Sequence, residues 1–135
     1  MQVNKVNDRL SVAPQIQPDQ VAALKAAGFD TVICNRPDGE EPGQPAVVAI
    51  EAACKAEGVG FHHIPVSGGT FPEAAVRDFG DAVSHRGGRV LAFCRTGTRS
   101  ITLASLANPF DLSSTERLKQ AAAAGYDLTC LIDRL

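Results

Sequence analysis

No stretch of this sequence stays apolar long enough to span a bilayer, and none gathers lysine and arginine into a basic block. The first absence argues against a membrane-spanning helix. The second, with a formal net charge of −2, argues against nucleic acid or a membrane surface as partner. The opening residues, MQVNKVNDRL, have no apolar core of the kind that marks a secretory signal, so a cytoplasmic chain with reduced thiols is expected. None of the four cysteines, at 34, 54, 94 and 130, belongs to a C-x-x-C pair. That excludes the usual zinc-site spacing, and nothing in the chain calls for a metal or a cofactor. Internal repeats are missing too, and the one biased segment, KQAAAAG, is good helix material.

What is present suits a globular α/β protein. At 135 residues, 44% hydrophobic and 21% charged, residues 1–135 are expected to form a single domain whose core needs no staples. RLSVA, DTVIC (30–34), VGFHHIPV (59–66) and GGRVLAFC (87–94) read as strands. Between them lie helical patterns: PDQVAALKAAG after Pro18, AVVAIEAACKAEG (46–58), PEAAVRDFGDAVSH (72–85) and SITLASLA (100–107). Ser113 and Glu116 have capping-box spacing ahead of RLKQAAAAG. Strands alternating with helices of this length predict a mostly parallel central sheet flanked by helices. Ligands of such sheets bind beyond the carboxyl ends of the strands, where the loops after Cys34, Val66 and Cys94 would meet.

The last of these loops, in LAFCRTGTRS (91–100), carries the chemistry. A strand ending in Cys94 and turning into a helix sets the sulfur among unpaired amides at the helix's positive end, which favours an anion. Arg95 and Arg99 add to that field, and such a field favours thiolate over thiol. Gly97 lets the backbone curl so that the amides of residues 95–99, Thr96 and Thr98 included, point inward as a nest. Arg99 has a planar fork suited to an oxyanion, and Ser100 is placed to steady the thiolate. The expected product is a cysteine nucleophile on the floor of an anion cradle.

Two groups of enzymes carry comparable loops. The cysteine-phosphatase pattern is H-C-x-x-G-x-x-R-[ST], and a common rhodanese-type pattern is C-R-x-G-x-R-S. Here Gly97 stands three residues after Cys94, Arg99 five and Ser100 six, the spacing of the second pattern. The segments TVICNRPDGEEPGQP, FHHIPVSGG, CRTGTRS and AGYDL together resemble the β-lactamase-hydrolase-like, phosphatase-like domain family, from about Leu10 to Asp127. That resemblance implies a cysteine-phosphatase-like fold, close to the dual-specificity phosphatases. A rhodanese fold is not expected, because HHIPVSGG only faintly echoes the GHIPGA-like stretch such domains carry alongside an acidic D-x-R segment. Some relatives are joined to a metallo-β-lactamase-fold, persulfide-oxidising domain, which implies such an enzyme as a partner. Members have been described both as phosphatases and as sulfur transferases.

Three departures from the phosphatase pattern bear on the choice. Phe93 precedes Cys94 where phosphatases place histidine, Arg99 comes one residue early, and Ser67 stands where the resemblance implies an aspartic general acid. General acid catalysis is worth roughly two to four powers of ten, and Asp38 or Glu40 would have to replace it. Sulfur transfer needs no acid. The leading expectation is therefore a sulfurtransferase acting through a Cys94 persulfide, between a small-molecule sulfur donor and an acceptor thiol. The alternative is a phosphatase that cleaves a phosphoester through a Cys94 phosphocysteine. A third is a non-catalytic module that binds an anion or a partner.

Other residues have plainer readings. Arg36 and Asp38 are crevice candidates, as substrate contacts or as an ion pair bracing the Cys94 loop, although RPDG is also ordinary turn sequence. His62 and His63 should face opposite sides of their strand, as core or surface residues. Cys34 reads as buried, with a resolving thiol as its functional alternative. Cys54 and Cys130 read as packing residues.

Overall fold

The computed structural model describes residues 1–135, and its architecture is organised by one five-stranded sheet of order β1-β2-β5-β3-β4. The strands are β1 (Asn4–Lys5), β2 (Leu10–Ala13), β3 (Phe29–Cys34), β4 (Gly60–His63) and β5 (Arg89–Phe93). The helices are α1 (Val21–Ala26), α2 (Val47–Ala56), α3 (Glu73–His85), α4 (Thr98–Ala107) and α5 (Ser114–Ala123). All strand pairs are parallel except β1 with β2.

The continuous apolar runs of β3 and β5 follow from burial on both faces. Successive side chains point to opposite sides. Ile33, Val90 and Ala92 accordingly join the core beneath α3 and α4, with Phe79, Val83, Ile101 and Leu103. Val32, Cys34, Leu91 and Phe93 join the core beneath α1 and α2, with Leu24, Ile50 and Cys54. In register, Cys34 lies beside both His63 and Phe93, so β3, β4 and β5 end at one level. The loops after them therefore share a single rim.

Several boundaries differ from the sequence pattern, each for a local reason. β4 stops at His63, yet the amides of Ile64 and Val66 still bond to the carbonyls of Cys34 and Asn35, at 2.9 and 3.2 Å. The helical pattern after Gln17 divides into a 3-10 turn, Pro18–Gln20, followed by α1. α4 begins at Thr98, two residues before the apolar period, because Gly97 caps it in the left-handed region (φ 96°). Ser113 accepts the Glu116 amide at 3.1 Å, as its capping role requires. β1 is too short to leave a periodic signal. Cys130 is exposed in the 3-10 segment Thr129–Arg134, so the packing role expected of it is wrong: the apolar letters of LTCLI do not lie on one buried face.

Candidate active site

Cys94 follows β5 directly and is 1% exposed. Its amide bonds to the Ala13 carbonyl at 3.4 Å, and its Sγ accepts the Gly97 amide at 3.1 Å. Around the sulfur, the amides of Arg95, Thr96, Arg99 and Ser100 have no acceptor within the chain. Of the amides of residues 95–99 expected to form a nest, that of Gly97 meets the sulfur, those of Arg95, Thr96 and Arg99 are open, and that of Thr98 instead turns to Thr96 Oγ1 at 3.5 Å.

Contacts from distant parts of the chain fix this loop. The Gln15 amide donates to the Arg95 carbonyl at 3.3 Å, and the Tyr126 hydroxyl donates to the Thr96 carbonyl at 2.9 Å. Tyr126 in turn accepts from Asn4 Nδ2 at 2.9 Å. Burial, opposed by the Asn4 hydrogen bond and aided by the negative charge of a Cys94 thiolate, pushes the Tyr126 phenol above its ordinary range. Thr96 Oγ1 donates to Thr98 Oγ1 at 3.2 Å and accepts the Thr98 amide at 3.5 Å, so that amide is not open to an anion. Ser100 corrects an expectation. Its hydroxyl donates to Asn35 Oδ1 at 2.8 Å, so its proton is spent on the wall and does not steady the thiolate. Asn35 is fully buried and reaches the Ile64 carbonyl through Nδ2 at 2.9 Å, tying the ends of β3, β4 and α4 together.

Arg99 spans the crevice. Its Nη1 and Nη2 bond to the two oxygens of Glu40, each at 2.8 Å, and Nη1 also donates to the Val66 carbonyl at 2.9 Å. The Glu40 carboxylate, against partial burial and with help from the negative charge of a Cys94 thiolate, raises the Arg99 pKa. Arg99 in turn, against burial and with Arg36 assisting, holds the Glu40 carboxyl down at about 2. Arg36 is 1% exposed and uses its whole fork: Nε to Glu40 at 2.8 Å, Nη1 to Gln15 at 3.0 Å and Nη2 to Glu41 at 2.9 Å. Burial opposes its charge, but Glu40 and Glu41 outweigh that and raise its pKa. Arg36, Glu40, Glu41, Arg95 and Arg99 line one open pocket.

Of the sequence candidates, Cys94 to Ser100 and Arg36 therefore meet at one rim, with Arg36 as the brace. Asp38 does not take part as expected. Its Oδ1 accepts the Val47 amide at 2.8 Å and anchors the start of α2. Glu40 cannot serve as the missing acid, because its two arginines keep it ionised. Cys34 is buried and its thiol is pushed up to about 11, chiefly by that burial. His62 packs edge-on to His85, and His63 Nε2 lies 3.1 Å from the Arg36 carbonyl, so the two histidines face apart as predicted. The sequence reading missed Gln15, Asn35, Glu41 and Tyr126. Asn35 and Glu41 left a trace within TVICNRPDGEEPGQP and Tyr126 within AGYDL, whereas Gln15 left none.

Gly97 and Tyr126 make a coupled pair. A β-carbon at Gly97 would sit in strained backbone and run into the Tyr126 hydroxyl. Gly97→Ala should cost about 1–2 kcal/mol from the left-handed φ alone, read by chemical denaturation. Tyr126→Phe should cost about 1 kcal/mol for the lost hydrogen bond. The double variant should cost less than the sum, since Phe removes the atom that the new methyl meets. Strict additivity would show that the hydroxyl does not set the loop.

This sheet order, with a cysteine loop feeding α4, gives an α/β domain with a cysteine-phosphatase-like fold. The chain belongs to the family described as the phosphatase-like domain of the β-lactamase hydrolase-like protein, whose model matches residues 2–110. It is 40% identical over 111 residues to the β-lactamase hydrolase-like protein of Agrobacterium fabrum, covering 82% of this chain and 26% of that protein. The protein of the same description from Xylella fastidiosa is 33% identical over 130 residues, covering 95% and 30%. The chain thus spans under a third of these relatives' length. Among solved structures, a candidate phosphatase from Neisseria meningitidis Z2491 superposes with a TM-score of 0.82 at 33% identity, covering 99% of this chain and 96% of that one. Tk-PTP in its active form superposes with a TM-score of 0.74 at 21% identity, covering 97% and 90%, a likeness of fold alone. No helix is long and apolar enough to cross a membrane.

Proposed function

We propose that the domain is a cysteine-dependent phosphatase. The observation that carries this is the Cys94 sulfur, bonded to the Gly97 amide and lying beneath the open amides of Arg95, Thr96, Arg99 and Ser100. Those donors suit the equatorial oxygens of a phosphoryl group, and the contacts from Gln15 and Tyr126 hold their loop before any ligand arrives. In this reading the Cys94 thiolate attacks phosphorus and a phosphocysteine forms. The loop amides and the free edge of Arg99 hold the oxygens, and water then releases phosphate. Likeness to a candidate phosphatase at 33% identity supports the same reading.

Sulfur transfer is the second reading. What favours it is the loop itself, with Arg99 only five residues after Cys94 and Phe93 before it. There Cys94 would carry sulfane sulfur between a donor and an acceptor thiol. A metallo-β-lactamase-fold, persulfide-oxidising enzyme is the partner that such a reaction suggests.

Intact mass separates the two. The protein is exposed to acetyl phosphate or to thiosulfate, quenched in acid and weighed, and the modified residue is located by peptide mapping. We expect one phosphoryl group on Cys94 from the first donor and no change from the second. A gain of one sulfur atom on Cys94 from thiosulfate, with none from acetyl phosphate, would replace phosphoryl transfer with sulfur transfer.

A further inference from the structure

A phosphoester of an ordinary alcohol or phenol needs a proton on its leaving oxygen near neutral pH, and the groups around Cys94 have none to give. Both oxygens of Glu40 are bound by arginines, and it is a carboxylate down to a pH of about 2. Glu41 accepts from Arg36 at 2.9 Å, which holds its carboxyl below the ordinary range. Asp38 is occupied by the Val47 amide. His63 Nε2 faces the Arg36 carbonyl at 3.1 Å, a contact that uses an N–H on that nitrogen. Tyr126 gives its proton to the Thr96 carbonyl. After β4 the rim continues through Ser67, whose hydroxyl is far too weak an acid.

The pocket does offer positive charge. Arg95 is 65% exposed in its side chain and its nearest carboxylate, on Glu41, is 3.9 Å away. Of the three arginines lining the pocket it is the least engaged.

We infer that the Cys94 site takes phosphoryl groups whose leaving group departs as an anion without accepting a proton. Acyl phosphates, phosphoanhydrides and nitroaryl phosphates qualify, whereas phosphate esters of alcohols and of tyrosine do not. The inference rests on the phosphatase reading and narrows its substrate class. With an acyl phosphate, the thiolate forms an S–P bond, the P–O bond to the acyl group breaks, and its electron pair leaves with a carboxylate. Water then attacks phosphorus, the S–P bond breaks back to the thiolate, and dihydrogen phosphate is released. No proton is needed in the first step, and water supplies both in the second.

The test is a leaving-group series. kcat/KM is measured for 2,4-dinitrophenyl, 4-nitrophenyl and phenyl phosphate and for acetyl phosphate, with Cys94→Ser as the background. From the dinitrophenyl to the phenyl ester we expect a fall of about 10²–10⁴-fold, the factor an internal acid would otherwise supply. Ser67 is exposed and follows Val66, whose carbonyl holds Arg99, so an acid placed there adjoins the arginine of the site. Ser67→Asp should raise the phenyl ester rate by at least about tenfold, leave the dinitrophenyl ester nearly unchanged, and add a loss of rate at high pH. A flat series in the wild-type protein would mean that a proton donor is present, overturning this inference while the phosphatase reading stands. Absence of Cys94-dependent release even from acetyl phosphate and the dinitrophenyl ester would remove the phosphatase reading, and this inference with it.

Discussion

Cys94→Ser should lower turnover of an activated phosphate by about 10⁴–10⁶-fold, the range expected when an enzyme loses its nucleophile. The substitution is nearly isosteric at a residue 1% exposed, and a serine hydroxyl can accept the Gly97 amide as the sulfur does. The fold and the four open amides of the loop should therefore persist. Binding and chemistry should separate cleanly. Inorganic phosphate should protect or bind the variant within about threefold of the wild type, because a loss confined to kcat marks an interaction made only in the transition state. Adding Arg99→Ala to Cys94→Ser should cost little more in rate, since the two act as one unit. Measured kcat, phosphate affinity and the double variant together check the claim. Residual Cys94→Ser activity above about one part in a hundred would show that the chemistry does not pass through this sulfur.

What could be read from the sequence, and what could not, divides by the range of the interactions. The runs VIC and VLAF announce two-faced burial because their successive residues are all apolar, and all lie buried within β3 and β5. The Cys94 loop was legible as well. A strand end, a glycine with positive φ and a helix start are local events, and they fix where the sulfur sits among the amides. The loop's surroundings were not legible. RPDG looks like an exposed turn, yet Arg36 is buried, because Gln15 lies 21 residues upstream and the two glutamates fold back over it. Ser100 finds Asn35 across 65 residues, and Tyr126 finds Thr96 across 30. None of these partners has a periodicity or a spacing that links it to the cysteine. The sulfur-transfer expectation rests on the short loop, on Phe93 and on the missing acid, and the comparisons favour the phosphatase class instead. The site's want of an acid, first noticed at Ser67, survives that change and becomes a statement about substrates.

The brace around Arg36 carries the largest stability effect expected here. Arg36 is the most deeply buried charge in the chain, and its side chain donates to Gln15, Glu40 and Glu41 together. Arg36→Leu keeps a buried apolar stem but takes one of Glu40's two arginines and leaves Glu41 with only Arg95, at 3.9 Å. Breaking a buried ion pair from one side costs about 3–5 kcal/mol. The lower end should apply, because Glu40 and Glu41 are 26% and 45% exposed in their side chains and regain some hydration. A loss of about 3 kcal/mol corresponds to roughly a 10 °C fall in Tm for a domain of this size. Activity should fall as well, since Glu40, released from Arg36, no longer fixes the Arg99 fork. Glu40→Gln in the same chain removes one of the two charges that Arg36 had paired, so the pair should be less destabilised than the sum of the two changes. Arg36→Lys should lie between, keeping the charge but losing the fork that meets three acceptors at once. If Arg36→Leu melts within about 1 kcal/mol of the wild type, the network is a surface ornament and Arg99 is held by Val66 and its own helix alone.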